Sequence, residues 1–194
     1  DVTRRHAPPA DEAIGRLAGR ALWRHVEAGQ GAGGPVLRYH DADVRLDLGA
    51  IAKGYGVDRA SEALRQWGVG HALVNVGGDL YAVGSGPDDA PWRIGVRDPD
   101  DPAGLLAELP VADEAIATSG TYEQFFRFGG RRYHHLMDPA TAAPRVTPVR
   151  SLTVRAARCV HADAAATALY GMPPAAAARV LAARAPGARI VLTA

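Results

Sequence analysis

The chain has 194 residues, 47% of them hydrophobic and 22% charged, enough for one sizeable domain or two small lobes that share a core. Its 22 Lys and Arg nearly balance 21 Asp and Glu, so the basic footprint of a general nucleic-acid binder is missing, and no apolar run approaches the roughly 20 residues that span a bilayer. The one cysteine, Cys159, excludes an intrachain disulfide and a cysteine-rich zinc site.

Residues 1–10 (DVTRRHAPPA) read as a loose polar lead-in, and because Asp1 is not an initiator the chain reads as a processed product or a fragment. From Asp11 to Glu27, Ile14, Leu17, Ala18, Leu22 and Val26 recur at helical spacing with Asp11 as cap, which predicts a helix. Gly29–Gly34 is a flexible break, and Pro35–Tyr39 and Asp43–Leu48 read as two short strands around an Asp-containing turn. Ile51–Trp67 is helical, with Gly68 as its stop. Ala72–Val76 and Leu80–Gly84 flank Gly77-Gly78-Asp79 in the manner of a hairpin. Trp92–Arg97, Leu105–Val111 and Ala115–Ser119 are strands, and Glu123–Phe128 with Arg131–Leu136 forms a second hairpin about Gly129-Gly130. After a proline-bearing loop come a strand (Ser151–Ala157), two helices (Ala162–Tyr170 and Ala175–Ala185) and a last strand (Arg189–Leu192). Strands outnumber helices and are mostly hairpin-linked, so the expected fold class is α+β with a largely antiparallel sheet.

Three segments could carry chemistry. In Asp47–Asp58 (DLGAIAKGYGVD), small residues and glycines sit where a strand hands over to a helix, which lets backbone approach a ligand and points helix N-terminal amides at an anion. Lys53, the single lysine of the chain, adds a positive charge there, although the Walker pattern is absent and a plain strand–helix connection has the same composition. The second is Ala117–Tyr122 (ATSGTY) with Arg131–Pro139 (RRYHHLMDP), which puts imidazole and carboxylate at one sheet end. Strand alternation sends His134 and His135 to opposite faces, and Ser119 as a nucleophile lacks the G-x-S-x-G context. The third is Cys159–Thr167 (CVHADAAAT), where Asp163 and Thr167 share one helix face and offer the oxygen donors that Mg²⁺ accepts. A capping Asp and a Thr bonded into its own helix give the same spacing, and Cys159, His161 and Asp163 offer a transition-metal alternative. Asp79, Asp41 and Asp43 read as turn residues.

Together with VNVGGDLYAVG and SLTVRAARCVHADAAAT, these segments resemble, in order and from about Val36 to the end, the FAD:protein FMN transferases of the ApbE type, formerly described as thiamine-biosynthesis lipoproteins. The resemblance implies a T-fold-like α+β fold, FAD as donor substrate, and Mg²⁺. It implies transfer of FMN through a phosphoester to a Thr or Ser hydroxyl on a partner protein, typically a subunit of a membrane redox complex, with release of AMP. Some relatives instead hydrolyse FAD to FMN and AMP, and a non-catalytic FAD-binding or assembly module is a third reading. The implied metal ligands are Asp163, Thr167 and the Ala50 carbonyl, with Ala52 as the alternative carbonyl. Asp47, Lys53 and His134 fall at flavin-nucleotide positions, and His135 and Asp163 at catalytic ones. Residues 1–35 are expected to be a lead-in and a helix and 36–194 the transferase domain, the family's N-terminal lobe being expected to lie outside these residues. Export and membrane anchoring are family expectations that these residues do not address. The pattern DP-x-T-G-x-P reads Asp138-Pro139-Ala140-Thr141-Ala142-Ala143-Pro144, so Ala142 replaces a glycine, which matters if that position needs positive φ.

Overall fold

The structure, a computed structural model, describes residues 7–101, 103–122 and 124–194. The chain divides into two units, a smaller one from Asp1–Asp47 and Gln124–Arg145 and a larger one from Leu48–Glu123 and Val146–Ala194.

In the smaller unit, a short helix α1 (Asp11–Gly15) is followed by the hairpin of β1 (Val26–Gly31) and β2 (Gly34–Tyr39). The larger unit opens with α2 (Ala52–Gln66), then β3 (Ala72–Val76), β4 (Asp79–Val83), β5 (Trp92–Arg97), β6 (Leu105–Val111) and β7 (Glu114–Gly120). The chain returns to the smaller unit for β8 (Phe125–Phe128) and β9 (Arg131–His134), and for the two-residue strands β10 (Met137–Asp138) and β11 (Ala143–Pro144). It ends in the larger unit with β12 (Ser151–Ala156), α3 (Cys159–Leu169), α4 (Pro174–Arg184) and β13 (Arg189–Thr193).

The larger unit is built on a five-stranded sheet of order β13-β12-β7-β4-β3, antiparallel at every pairing. Alternation along β4 gives each face its partner. Leu80 and Ala82 join Ile94, Val111 and Ile116 in a buried cluster with Trp92 and Leu109, so the β5–β6 ribbon closes one face of the sheet. Asp79, Tyr81 and Val83 point the other way, where α2 and α3 pack.

The backbones of α2 and α3 cross closely. Gly54 is buried, and a Cβ there would stand 2.5 Å from the Cys159 carbonyl oxygen and 2.8 Å from Asp163 Cβ. Each helix caps the start of the other. Asp58 of α2 accepts from the amides of Cys159 (2.6 Å) and Val160 (3.2 Å) at the head of α3. Asp163 of α3 accepts from the Gly54 amide (2.9 Å) in the first turn of α2. Neither helix has a side-chain cap from its own N-cap residue, Ile51 or Arg158. The two carboxylates thus satisfy orphan amides and place negative charge at positive helix ends.

Most sequence-predicted elements lie within two residues of the observed ones; the beginning of the chain differs. The helix expected over Asp11–Glu27 stops at Gly15, because Gly19 (φ +70°) and Ala21 (φ +50°) take left-handed backbone that interrupts the apolar spacing. Gly29–Gly34 is no flexible break: Gly29 pairs with Val36 and Gly31 with Gly34 in the β1–β2 hairpin. No strand forms over 43–48. There the Asp43 amide donates to Asp41 Oδ1 (2.8 Å), and Arg20 pairs with both Asp41 and Asp43, which fixes a turn instead.

Ala142, where the family pattern has glycine, holds φ +51° with its amide on the Asp138 carbonyl (2.7 Å). Left-handed backbone costs a Cβ-bearing residue about 1–2 kcal/mol, more than the roughly 0.5–1 kcal/mol that glycine adds in unfolded-chain entropy. Ala142→Gly is expected to raise stability by up to about 1 kcal/mol, read as a higher urea midpoint. Asp58→Ala leaves a buried and a half-buried amide without an acceptor and is expected to lower stability by about 2 kcal/mol at an unchanged denaturant slope.

Candidate active site

The same crossing gathers the chemistry. In the turn before α2, the amides of Ile51 (2.9 Å) and Ala52 (2.8 Å) donate to the Leu48 carbonyl, and Ala50 sits half-buried just before the helix. Lys53 follows in the first helical turn and reaches across to β4, where its ammonium lies 2.6 Å from Asp79 Oδ2. The β3–β4 turn lets it through: Gly77 (φ +60°) and Gly78 (φ +94°) take left-handed backbone, and a Cβ on Gly77 would touch the Lys53 stem.

Asp163 is only 3% exposed; it accepts from the Gly54 amide and lies within hydrogen-bonding reach of the Asp79 carboxyl, with no ion pair made to it among the described residues. One turn further along α3, Thr167 shares a hydroxyl–hydroxyl hydrogen bond of 3.0 Å with Ser119 of β7. Lys53 and Asp163, far apart in sequence, are therefore brought together at the start of α2, with Thr167 one turn further along α3. Ser119 is a partner of Thr167, and no histidine bonds to it among the described residues.

The charges are unequal. Two buried carboxylates, Asp79 and Asp163, face a single ammonium. Burial holds the Asp79 carboxyl well above the ordinary carboxylate range; Lys53 opposes this and the charge of Asp163 adds to it. Burial also pulls the Lys53 ammonium down, but Asp79, with help from Asp163, more than offsets that and leaves it raised. The Cys159 thiol is pushed far up by burial, and the charges of Asp79, Asp58 and Asp163 push it further. It is an inert core residue. Cys159, His161 and Asp163 do not form a metal site: α3 begins at Cys159, so residues two apart point to opposite sides of the helix, and His161 is exposed. Among the described residues no cluster of three or more His, Cys, Asp or Glu could hold a metal ion. A carboxylate and a hydroxyl, both oxygen donors, instead suit Mg²⁺, which keeps water and phosphate in its remaining positions.

Asp47, His134 and His135 belong to the smaller unit. Asp47 is exposed. His134 has both ring nitrogens committed: Nε2 donates to the Arg145 carbonyl (3.2 Å), and Nδ1 accepts from the Leu136 amide (3.3 Å). In exposed His135, Nδ1 donates to the Gln124 carbonyl (3.2 Å), which leaves Nε2 as the basic nitrogen.

Sequence reasoning missed Gly54, Asp58 and Asp79. A glycine inside a helix and an Asp after two glycines were the available signals, and both have commoner explanations.

A family model described as the ApbE family matches residues 2–192. The chain belongs to the ApbE family. The match takes in residues 2–35, which the motifs alone do not reach. The chain is 37% identical over 178 residues to the FAD:protein FMN transferase of Treponema pallidum, covering 86% of this chain and 49% of that protein. Among solved structures, the ApbE protein of Thermotoga maritima superposes with a TM-score of 0.81 at 31% identity, over 95% of this chain and 59% of that one. The flavin transferase ApbE from Vibrio cholerae gives 0.75 at 30% identity, over 95% and 61%. The chain thus spans about half the length of the curated ApbE relative from Treponema, and the α+β, mainly antiparallel architecture is that of the ApbE structures.

Burial lowers the His134 pKa, with the Arg145 carbonyl opposing and the charges of His135 and Arg132 assisting. A depressed folded value means that the unfolded chain takes the proton first. The stability His134 lends is full above about pH 6.5 and is lost as pH falls from there through the folded pKa. Protonation of Nδ1 also ejects the Leu136 amide. Hydrogen-exchange protection of that amide is expected to fall steadily below about pH 6.5; protection that stays flat down to pH ~5 contradicts this account.

Proposed function

We propose that this chain carries the Mg²⁺-dependent transfer of FMN from FAD to a Thr or Ser hydroxyl of a partner protein, with AMP released. The observation that carries the proposal is the 2.9 Å bond from the Gly54 amide to Asp163 Oδ2, because it sets the first turn of α2 and its lysine against the carboxylate–hydroxyl pair of α3. The names of the relatives supply the donor and the kind of product. The acceptor is expected among subunits of membrane redox complexes.

Asp163, Thr167 and the Ala50 carbonyl would hold Mg²⁺; Ala52, already the first residue of α2, is the weaker choice of carbonyl. Withdrawal of charge from the diphosphate is what the bound ion supplies. Lys53 offsets a further negative charge, and the first-turn amides of α2 favour the anion. Asp47 is assigned to the flavin nucleotide. His134, with both nitrogens engaged, is set aside as a polar contact to it. The acceptor oxygen attacks the FMN phosphorus, the bond from that phosphorus to the AMP oxygen breaks, and the hydroxyl proton passes to a general base, a role for which His135 or an aspartate is the candidate.

The test is incubation of FAD and Mg²⁺ with and without a threonine-bearing peptide. Covalent flavin on the peptide together with AMP supports transfer; AMP in equal amount without peptide marks an FAD pyrophosphatase; neither product marks a binding module. Asp163→Asn keeps an oxygen for the Gly54 amide while removing the charge, so it is expected to cut Mg²⁺-dependent turnover at least by the roughly 10- to 100-fold lost with supporting groups of metal sites, with the fold retained. Wild-type turnover in that variant would remove the metal assignment.

A further inference from the structure

We propose that Asp79 is a positioning residue that holds the Lys53 ammonium over the diphosphate-binding turn of α2; this rests on the FMN-transfer reading above. Asp79 follows two glycines, where an aspartate ordinarily lies in solvent and serves the turn. Here it is the first residue of β4, 1% exposed, and turned toward the helices. Its Oδ2 is buried, and no donor meets it within hydrogen-bond angles among the described residues. The Lys53 ammonium at 2.6 Å, off those angles, is its partner as an ion pair.

The arrangement is an odd one for stability alone. A buried carboxylate opposed by a second carboxylate, Asp163, and balanced by a single half-exposed lysine is a poor way to fill a core position. It is a good way to aim a lysine. An unanchored ammonium on a four-carbon stem samples many rotamers in water. Two features remove that freedom: Gly77 packs along the stem, and Asp79 captures the tip. Because β4 is an interior strand, paired with β3 on one side and β7 on the other, the capturing carboxylate stands on rigid backbone. The ammonium keeps two further N–H donors for phosphate oxygens.

The proposal is tested with Asp79→Asn, Lys53→Met and the double variant, each checked for its thermal midpoint. One readout is calorimetric titration with ADP in metal-free buffer, a probe of diphosphate binding that needs no turnover. The other is Mg²⁺-dependent AMP release from FAD, with kcat and KM separated. Each single variant is expected to weaken ADP binding and to lower kcat/KM by about 10- to 100-fold, and the double variant to be no worse than Lys53→Met. A purely structural Asp79 would instead lower the thermal midpoint and leave the properties of the folded fraction unchanged. Asp79→Asn with wild-type ADP affinity and turnover, or losses that multiply in the double variant, overturns the proposal. The expected ADP pattern without any AMP release overturns FMN transfer and leaves Asp79 as the anchor of Lys53. AMP release that survives Asp79→Asn overturns only the role of Asp79, and a wild-type protein that neither binds ADP nor releases AMP overturns both.

Discussion

Two helices can share their capping groups only if their backbones come close enough for a short side chain to reach across, and in this chain that closeness depends on a missing Cβ. At Gly54 the backbone of α2 meets the Cys159 carbonyl and the Asp163 side chain at distances that any other residue would violate. The consequence is reciprocal: Asp58 satisfies the head of α3, and Asp163 satisfies the first turn of α2. Structure and site are therefore the same contact. The carboxylate proposed to hold Mg²⁺ is also the one that bonds the first turn of α2, which carries Lys53.

The electrostatics follow from that geometry. Packing α2 and α3 on one face of the sheet buries two carboxylates within reach of one lysine, an imbalance that neither helix carries by itself. A hard divalent cation and a lysine directed at phosphate are the two charges that would complete it. In an empty core such a cluster would be a liability; beside helix N-terminal amides it is a place where an anionic diphosphate and a cation are accommodated together.

Much of the architecture was legible along the chain. Strands with alternating apolar residues, such as Trp92–Arg97 and Leu105–Val111, lie where their pattern puts them because each packs one face on a core. The glycine pair at Gly77-Gly78 marked its hairpin because left-handed backbone is nearly glycine's alone. The opening of the chain was illegible for the same kind of reason in reverse. The periodicity from Ile14 to Val26 is helical, but Ala21, a residue that gives no sign of it, adopts left-handed backbone, and Arg20 is committed to Asp41 and Asp43. Local pattern yields where a distant partner fixes the backbone.

Asp163 and Thr167 were visible because helical spacing is a short-range property, and Lys53 because it is alone of its kind and follows a strand–helix junction. Linked motifs likewise sufficed for the family, because they survive as short stretches of local pattern. Tertiary structure alone decided that Asp79 is buried against Lys53 rather than exposed in a turn, that Asp58 caps a helix about a hundred residues away, and that Gly54 admits no side chain. Each of these depends on what faces a residue across a packed layer, and separation along the chain carries no record of which surfaces folding will press together.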